Sequence, residues 1–292
     1  MKPLFIWAGG KTKMLKHYKV LLPKDFNTYV EPFFGGGAMF VWAFSKNPEA
    51  TFVINDINQE IIDIYKSIKN ELNVFINRME YLSGIYLPLS KDDRKKFYFD
   101  LRSEYAWDYK KWSKAEESAT LYFLMKTGFN GIWQINKNTN GRYGTPAGLL
   151  TQKDKVYDKE NVIEWSRALE NTILLCGDYS SVEKYVDATT FIFMDPPYRE
   201  SFTQYNTDFT DKEQIRLLGF LSECKDKGAT SWMSNRHGED GFWEKNANKF
   251  VIHKFPVTYT AGRRKKTENG FEAKKAVEIL ITSQKIQEHN VN

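Results

Sequence analysis

The stretch TYVEPFFGGGAMFVWAF, from Thr28 to Phe44, decides the fold class. Its first part, Thr28 to Phe34, is an apolar and aromatic run that is typical of a buried strand. Three glycines follow, Gly35 to Gly37, and the apolar segment Ala38 to Phe44 after them predicts a helix. Glycines at a strand-to-helix turn let the backbone approach a ligand, and the helix N-terminus offers unpaired N–H groups. The stretch therefore predicts the first strand of an α/β domain with a ligand site at its end.

Similar apolar or alternating runs elsewhere in the chain bring the number of predicted strands to seven. The other six are Thr51 to Asn55, Thr172 to Cys176, Thr189 to Met194, Thr230 to Ser234, Lys249 to Val257 and Val277 to Thr282. Segments with helical spacing are Gln59 to Met79, Lys114 to Met125, Asn161 to Leu169 and Lys212 to Cys224. Strands that alternate with helices favour a mostly parallel sheet. The last two strands are joined by a basic, glycine-containing loop without a helix, which predicts an antiparallel C-terminal hairpin at the sheet edge.

The alternation of strands and helices is interrupted after the second predicted strand. Charged helical segments follow there, and then a turn-rich stretch from Phe129 to Gly148 that is dense in amides, glycine and aromatic residues. We expect an inserted, mainly helical domain over residues 58–171, with a hairpin at about 127–150, and a main domain formed by residues 1–57 and 172–292. The composition of this hairpin is equally typical of an ordinary surface loop and of a loop that recognises a polar surface.

Composition excludes several classes of protein. The chain has 292 residues, of which 41% are hydrophobic and 27% charged, and this is enough for a packed core. No apolar run approaches the ~20 residues that a membrane span needs. Two distant cysteines, Cys176 and Cys224, and four scattered histidines build neither a disulfide framework nor a metal site. Residues 1–7 do not look like a signal peptide, so we expect a soluble, cytoplasmic protein.

The formal net charge of +5 permits a polyanionic partner without requiring one. The positive charges are clustered, and a solvated surface is the simpler interpretation of such clusters. They comprise Arg94 to Lys96, Arg263, Arg264, Lys265, Lys266, Lys274 and Lys275.

Two carboxylates follow predicted strands, at the edge of an α/β sheet where ligands bind. Asp56 lies about 20 residues after the glycine turn, a spacing at which a carboxylate can accept both hydroxyls of a ribose. It could also cap the helix that starts near Asn58. The second carboxylate begins Asp195-Pro196-Pro197-Tyr198, where two prolines stiffen the turn and hold a carboxylate and an aromatic ring at a fixed separation.

Four motifs together resemble the adenine-specific DNA methyltransferases of the Dam type (D12 class), in the order of that family. They are Trp7 to Lys11, Glu31 to Gly37, Asn55 to Asn58 and Asp195 to Tyr198. The resemblance covers essentially the whole chain and includes Phe129-Asn130-Gly131 and Ser234-Asn235. It implies a Rossmann-like methyltransferase fold and an S-adenosylmethionine-dependent enzyme. The reaction implied is methylation of the exocyclic amino group of adenine in double-stranded DNA.

The resemblance also implies a cofactor site. Lys11 would face the methionine carboxylate and Asp56 would hold the ribose, while Asp178 and Tyr179 would bind the adenine of the cofactor. For Asp178, a turn-forming role after Gly177 stays an alternative. The residues assigned to the cofactor are Trp7, Lys11, Phe33, Gly35, Gly37, Asp56, Asp178, Tyr179 and Asp195.

The catalytic residues implied are Asp195, Pro196 and Tyr198. An adenine amino nitrogen is a poor nucleophile because its lone pair is delocalised into the ring. Hydrogen bonds to the Asp195 carboxylate and the Pro196 carbonyl would localise that pair and stabilise the developing positive charge. Because the target lies inside the duplex, the base would be flipped out, and Tyr198 would stack on it.

In the hairpin, the resemblance implies contacts with DNA. The residues concerned are Phe129, Asn130, Ile132, Gln134, Asn136 and Pro146, and the basic loop with Arg263 and Arg264 would meet phosphates. GATC-specific members carry an arginine where this chain has Gln134, and close relatives carry a lysine where it has Ile6. The hairpin is also longer between Asn136 and Gly141. Glutamine suits adenine better than guanine, so we predict a target other than GATC, or relaxed specificity at its first base.

Other functions stay open at this stage. Amino-methyltransferases that act on cytosine, RNA or a protein glutamine use a similar tetrapeptide, and a catalytically silent DNA-binding homologue would keep the fold. A nicotinamide-dependent dehydrogenase needs a Gly-x-Gly-x-x-Gly turn, which Gly35 to Phe40 does not provide. The sequence leaves open the oligomeric state, a preference for hemimethylated DNA and a restriction endonuclease as partner.

Overall fold

The computed structural model of the chain describes residues 1–7, 9–19, 21–199, 209–259, 265–267, 270–272 and 274–283. Its strands are β1 (Thr28–Glu31), β2 (Thr51–Asp56), β3 (Thr172–Cys176), β4 (Thr190–Met194), β5 (Thr230–Arg236), β6 (Val251–Tyr259), β7 (Lys265–Thr267), β8 (Gly270–Glu272) and β9 (Lys274–Thr282). Seven of them form one sheet in the order β3-β2-β1-β4-β5-β9-β6, and β7 and β8 form a separate antiparallel pair. The predicted seven-stranded α/β sheet is confirmed. The pair β7–β8 is a correction, since that segment was predicted to be a loop.

The strands β1 to β5 are parallel, and β9 pairs antiparallel with both β5 and β6. The predicted C-terminal hairpin is therefore confirmed, with β9 inserted between β5 and β6. Strand order reverses between β1 and β4, which are neighbours in the centre of the sheet. In open α/β sheets such a reversal opens a crevice outside the carboxyl ends of the strands. The turns after β1, β2, β4 and β5 meet at that edge.

Both faces of the sheet are buried at its central strands. Along β1 and β4, successive side chains alternate between two hydrophobic cores, because neighbouring residues of a strand point to opposite faces. Tyr29 and Phe191 belong to the larger core, and Val30 and Ile192 to the smaller one. This double burial explains why the strands are almost continuously apolar in sequence.

The described residues form nine α-helices. They are α1 (Leu15–Tyr18), α2 (Ala38–Lys46), α3 (Gln59–Asn70), α4 (Leu72–Tyr86), α5 (Lys91–Trp107), α6 (Lys114–Thr127), α7 (Lys159–Leu169), α8 (Asp211–Asp226) and α9 (Phe242–Asn246). The single predicted helix from Gln59 to Met79 is wrong. It is two helices joined at Glu71, whose φ of −137° breaks the helical backbone. No helix among the described residues is long and apolar enough to cross a membrane.

The helix α6 is the centre of the helical region. It is buried almost all round, from Ala115 to Thr127, and it packs against α3, α4 and α5. A capping box at its start, formed by Ser113 and Glu116, satisfies its first N–H groups. Because α3 contacts both α6 and β3, the helical region is joined to the edge of the sheet. The division of the chain into domains at residues 57/58 and 171/172 stays a prediction.

Candidate active site

The glycine turn after β1 is packed against an aromatic ring. Gly35 and Gly37 have φ values of +49° and +69°, in the left-handed region that disfavours side chains. A Cβ atom at Gly35 would overlap the Trp7 indole, and one at Gly37 would lie 2.7 Å from Trp165. Both positions therefore require glycine for backbone conformation and for space. Trp7, from the N-terminal motif, is thereby brought against the turn.

Lys11 is a buried cation at this edge of the sheet. Its side chain is only 3% exposed, and its Nζ donates to the Gly9 carbonyl and to the Asp195 carboxylate, each at 2.6 Å. Burial alone would lower the pKa of Lys11, but the ion pair with Asp195 raises it above its ordinary value. Lys11 therefore carries a fixed positive charge beside Asp195.

Asp195 follows directly after β4 and is held from two sides. Besides Lys11, the Ser234 hydroxyl at the end of β5 donates to Asp195 Oδ1 at 2.7 Å. Burial raises the pKa of Asp195, whereas Lys11 and Ser234 lower it, and the net shift is upward. The carboxylate is thus a positioned acceptor that binds a proton more readily than an exposed aspartate does.

Two side-chain amides hold the backbone of the tetrapeptide. Gln214, on α8, donates from Nε2 to the Pro197 carbonyl at 2.9 Å, and Asn235 Nδ2 donates to Gln214 Oε1 at 3.1 Å. Asn235 Oδ1 in turn accepts from the Arg199 N–H at 3.0 Å. Gln214 and Asn235 are both fully buried. Sequence reasoning missed Gln214, since a buried glutamine on an amphipathic helix carries no local signal.

The Tyr198 ring is fixed at its hydroxyl and over its face. The hydroxyl donates to Glu278 Oε2 at 3.0 Å, and Lys11 Nζ lies 4.8 Å from the ring centroid. Glu278 is the second residue that sequence reasoning missed. Its signal was a lone carboxylate in the otherwise apolar run from Val277 to Ile281.

Asp56 joins the turn after β2 to the glycine turn. Its Oδ2 accepts from the Gly35 N–H and its Oδ1 from the Asn58 N–H, both at 2.9 Å. Burial raises the pKa of Asp56, and these two N–H groups oppose the shift. The first turn of α3 is capped by the Asn58 side chain, which accepts from the Glu60 N–H at 3.1 Å. Asp56 is therefore not the capping side chain of that helix.

An aromatic pair is formed by Phe33, which precedes the glycine turn, and Tyr179. The Phe33 and Tyr179 rings are 5.4 Å apart at 32°, and Asp178 precedes Tyr179. Asp178 accepts from the Ser180 N–H and forms two hydrogen bonds with Arg216, at 2.8 and 3.0 Å. Burial would raise the pKa of Asp178, but Arg216 and Ser180 lower it to about 2. Asp178 thus shapes a turn, as one alternative held, and lies beside the aromatic pair; Arg216 was missed from sequence.

The predicted hairpin is present but irregular. Its two arms are joined by isolated antiparallel bridges, Gly128 with Ala147 and Ile135 with Tyr143, rather than by regular strands. Two short 3-10 turns, Phe129–Gly131 and Lys137–Thr139, bend the arms. The predicted β-hairpin is thus a looped hairpin, because its many glycines and asparagines favour turns over extended backbone.

The residues predicted to contact DNA are spread along this hairpin. Phe129 is 48% exposed, Asn130 and Pro146 are exposed, and Ile132 and Gln134 are half-buried. Asn136 Oδ1 accepts from the Asn138 N–H and shapes the hairpin tip. Ile6 is 69% exposed, and a Cβ at Gly131 would lie 3.0 Å from it, so the hairpin base lies beside the Trp7 segment. Arg263 and Arg264 lie outside the described residues.

Arg142 anchors the hairpin to the helical region. Its guanidinium pairs with Glu60 on α3, at 3.2 Å, and with Glu117 on α6. Its Nη1 donates to the Tyr105 carbonyl at 2.9 Å, and its Cζ lies 4.1 Å and 3.9 Å from the ring centroids of Tyr105 and Tyr109. Arg142 was not singled out from sequence, although it lies in the predicted hairpin.

The fold and this site define the class of protein, and similarity to known proteins agrees with them. Residues 7–261 match the D12 class N6 adenine-specific DNA methyltransferases, and the chain belongs to that family. It is therefore an enzyme that methylates adenine in DNA. Within the residues that the structure describes, no group of three or more His, Cys, Asp or Glu could hold a metal ion.

Three relatives illustrate the similarity. The Type II methyltransferase M.MjaIII of Methanocaldococcus jannaschii is 34% identical over 91% of this chain and 96% of its own length. The Type II methyltransferase M1.LlaDCHI of Lactococcus lactis subsp. cremoris is 29% identical over 97% of this chain and 95% of its own. The DNA adenine methylase of Escherichia coli strain K12 is 24% identical over 90% and 91%.

Proposed function

We propose that this adenine methyltransferase takes its methyl group from S-adenosylmethionine and acts on an adenine flipped out of duplex DNA. The observation that carries the proposal is the Asp195 carboxylate, held by Lys11 at 2.6 Å and Ser234 at 2.7 Å beside the Tyr198 ring. A fixed acceptor next to an aromatic ring suits a planar base with an exocyclic amino group.

The cofactor pocket is proposed at the glycine turn. When bound, S-adenosylmethionine supplies an electrophilic methyl group on a sulfonium. Phe33 is partly exposed and backed by the Tyr179 ring, so it offers a flat apolar face for the adenine of the cofactor. The buried Tyr179 hydroxyl has no hydrogen-bond partner among the described residues. Such an orphaned polar atom fits a polar ligand in that pocket. Asp178, next to it, is the proposed acceptor for the adenine amino group.

Lys11 and Asp56 keep bonding capacity for the cofactor. The Lys11 ammonium has three N–H groups, of which the Gly9 carbonyl and Asp195 take two, and the third suits a carboxylate. The Asp56 carboxylate has about four acceptor sites, and the backbone N–H groups of Gly35, Asn58 and Ile57 use part of them. The remaining capacity suits the ribose. Trp7, Gly35 and Gly37 would line the pocket.

Methyl transfer needs two acceptors for the two amino hydrogens of adenine. Asp195 is the first, and the Pro196 carbonyl is the second, because no hydrogen bond among the described residues uses that carbonyl. Both acceptors would stabilise the positive charge that develops on the amino nitrogen as it takes the methyl group, whose bond to the sulfonium sulfur breaks with the electron pair left on sulfur. The surplus proton leaves the nitrogen through the hydrogen bond to Asp195, whose raised pKa makes it a better proton acceptor.

The hairpin and the helical region are proposed as the target-recognition domain, residues 58–171. Phe129 and Asn130, exposed at the hairpin base beside the active site, would contact the duplex next to the flipped base. Gln134 would read an adenine, so the target is proposed to differ from GATC. Because two relatives are named type II methyltransferases, a cognate restriction endonuclease is a proposed partner.

The test is modified-base sequencing of DNA from a methylation-free host that expresses the chain. We expect one adenine motif with the intact protein and none with Asp195→Asn. Asparagine keeps an acceptor oxygen but lacks the negative charge and the capacity to take the proton, and such a loss costs about 100-fold or more in rate. Asp226→Asn, an exposed substitution at the end of α8, is the matched control. Calorimetry with S-adenosylmethionine should show binding by all three proteins, weaker for Asp195→Asn than for the other two because Asp195 holds Lys11.

Three outcomes would contradict parts of the proposal. Full methylation by Asp195→Asn would show that Asp195 is not needed for methyl transfer. No heat of binding with S-adenosylmethionine, from a folded protein, would refute the cofactor. A strict GATC motif would refute the predicted role of Gln134.

A further inference from the structure

Glu278 is a buried carboxylate at the edge of the active site, in an unfavourable place for a charge. It is 6% exposed and is followed in β9 by Ile279 to Ile281, which are fully buried. It lies opposite Arg236 of β5 and Phe255 of β6 in the strand register. A buried carboxylate is costly unless hydrogen bonds compensate it, so its position calls for a reason.

The hydrogen bond from Tyr198 supplies that reason. The phenol donates to Glu278 Oε2 at 3.0 Å, across 80 residues of sequence. Two prolines fix the backbone before Tyr198, but they do not fix its χ1 and χ2 angles. A charge-assisted hydrogen bond at the far end of the ring restricts both angles, because it holds the hydroxyl at one point.

The other charged groups of the site act on the same ring. Lys11 Nζ lies 4.8 Å from the Tyr198 centroid and is itself held by Asp195. The ring is thus held between an ammonium over its face and a carboxylate at its edge. The orientation of Tyr198 is consequently coupled to Asp195, the proposed acceptor of the adenine amino group.

We propose that Glu278 is a positioning residue for methyl transfer, which fixes the Tyr198 ring at the angle where it stacks on the flipped adenine. This inference rests on the proposed stacking role of Tyr198. Glu278 acts on the base through the phenol, while its charge also acts on Lys11 and Asp195 and raises the pKa of both. Tyr198→Phe, which leaves that charge in place, therefore isolates the positioning effect, and Glu278→Leu should change the orientation of the ring in the same way.

The experiment is a double-mutant cycle with Glu278→Leu, Tyr198→Phe and their combination. We expect each single variant to lower kcat by about 10- to 100-fold, the range for a hydrogen bond to a charged group, and the double variant to be no slower than either. KM for DNA and the affinity for S-adenosylmethionine should not change. Glu278→Gln, which keeps an acceptor oxygen, should recover most of the rate, and the exposed Glu239→Gln should be silent.

A second readout follows the ring itself. DNA with 2-aminopurine at the target position becomes fluorescent when the base leaves the stack, and stacking on Tyr198 quenches that signal. Both single variants should therefore give brighter complexes than the intact enzyme, at equal occupancy of the DNA. If Glu278→Leu fails to fold, Tyr198→Phe still tests the proposal, because it removes only the hydroxyl.

The outcomes separate the two proposals. If Tyr198→Ala keeps full activity and quenching, the stacking role itself is wrong. If Tyr198→Ala is inactive but Tyr198→Phe and Glu278→Leu turn over normally, stacking stands and positioning by Glu278 is overturned. Additive effects in the double variant would also overturn it, because the two groups would then act independently.

Discussion

Arg142→Met should detach the hairpin from the helical region without touching the proposed catalytic groups. Methionine keeps much of the arginine stem but removes the guanidinium, which leaves Glu60 and Glu117 without their shared cation. Trp133, also in the hairpin, would still donate to Glu60 at 3.2 Å. The hairpin should therefore loosen around its Arg142 arm.

The magnitude follows from the burial of the charges. Removal of one partner from a buried ion pair costs about 3–5 kcal/mol, because the remaining charge is left uncompensated. Lys114 still pairs with Glu117 at 2.8 Å, so among the described residues only Glu60 is left without a cation. The side chains of Arg142 and Glu60 are 15% and 20% exposed, and partial solvation also favours the lower end of that range. We expect the free energy of unfolding to fall by about 3 kcal/mol.

Urea denaturation measures that loss, and steady-state kinetics measure its consequence. KM for DNA should rise, while the affinity for S-adenosylmethionine should stay the same, because Arg142 contacts no proposed cofactor residue. The control is Arg142→Met combined with Glu60→Gln, which removes the carboxylate charge that Trp133 and Tyr105 contact only as neutral donors, and this double variant should be more stable than Arg142→Met alone. Unchanged stability and unchanged KM in Arg142→Met would refute the anchoring role.

Two further predictions concern the proposed cofactor pocket. Gly35→Ala should lower the free energy of unfolding by about 1–3 kcal/mol and weaken cofactor binding, because its Cβ would overlap the Trp7 indole. The control Gly84→Ala, in open space on α4, should have neither effect. Because Arg216 helps to lower the pKa of Asp178 to about 2 from an ordinary 3.8, the stabilisation by their pair should be complete above about pH 4 and disappear as the pH falls to 2. Acid-unfolding curves of the intact protein and Asp178→Asn should accordingly converge towards pH 2; parallel curves would contradict this.

Local pattern was enough to predict much of the fold. The strands β1, β2, β3 and β4 were predicted correctly from their apolar runs, because a parallel strand that is buried on both faces must be apolar along its length. The helix from Gln59 to Met79 was wrong because both halves share an amphipathic pattern, and only packing shows the break at Glu71. The position of β9 between β5 and β6 was equally invisible, since strand order depends on contacts between distant segments.

The sequence by itself determined the kinds of chemistry at the site: a glycine turn, a strand-end carboxylate with an aromatic ring, and a basic residue near the N-terminus. Only the tertiary structure decided which groups meet. Lys11 pairs with Asp195 across 184 residues, and Tyr198 reaches Glu278 across 80. The physical reason is that residue identity limits what a side chain can donate or accept, whereas its partner, burial and pKa depend on how strands and helices pack in space.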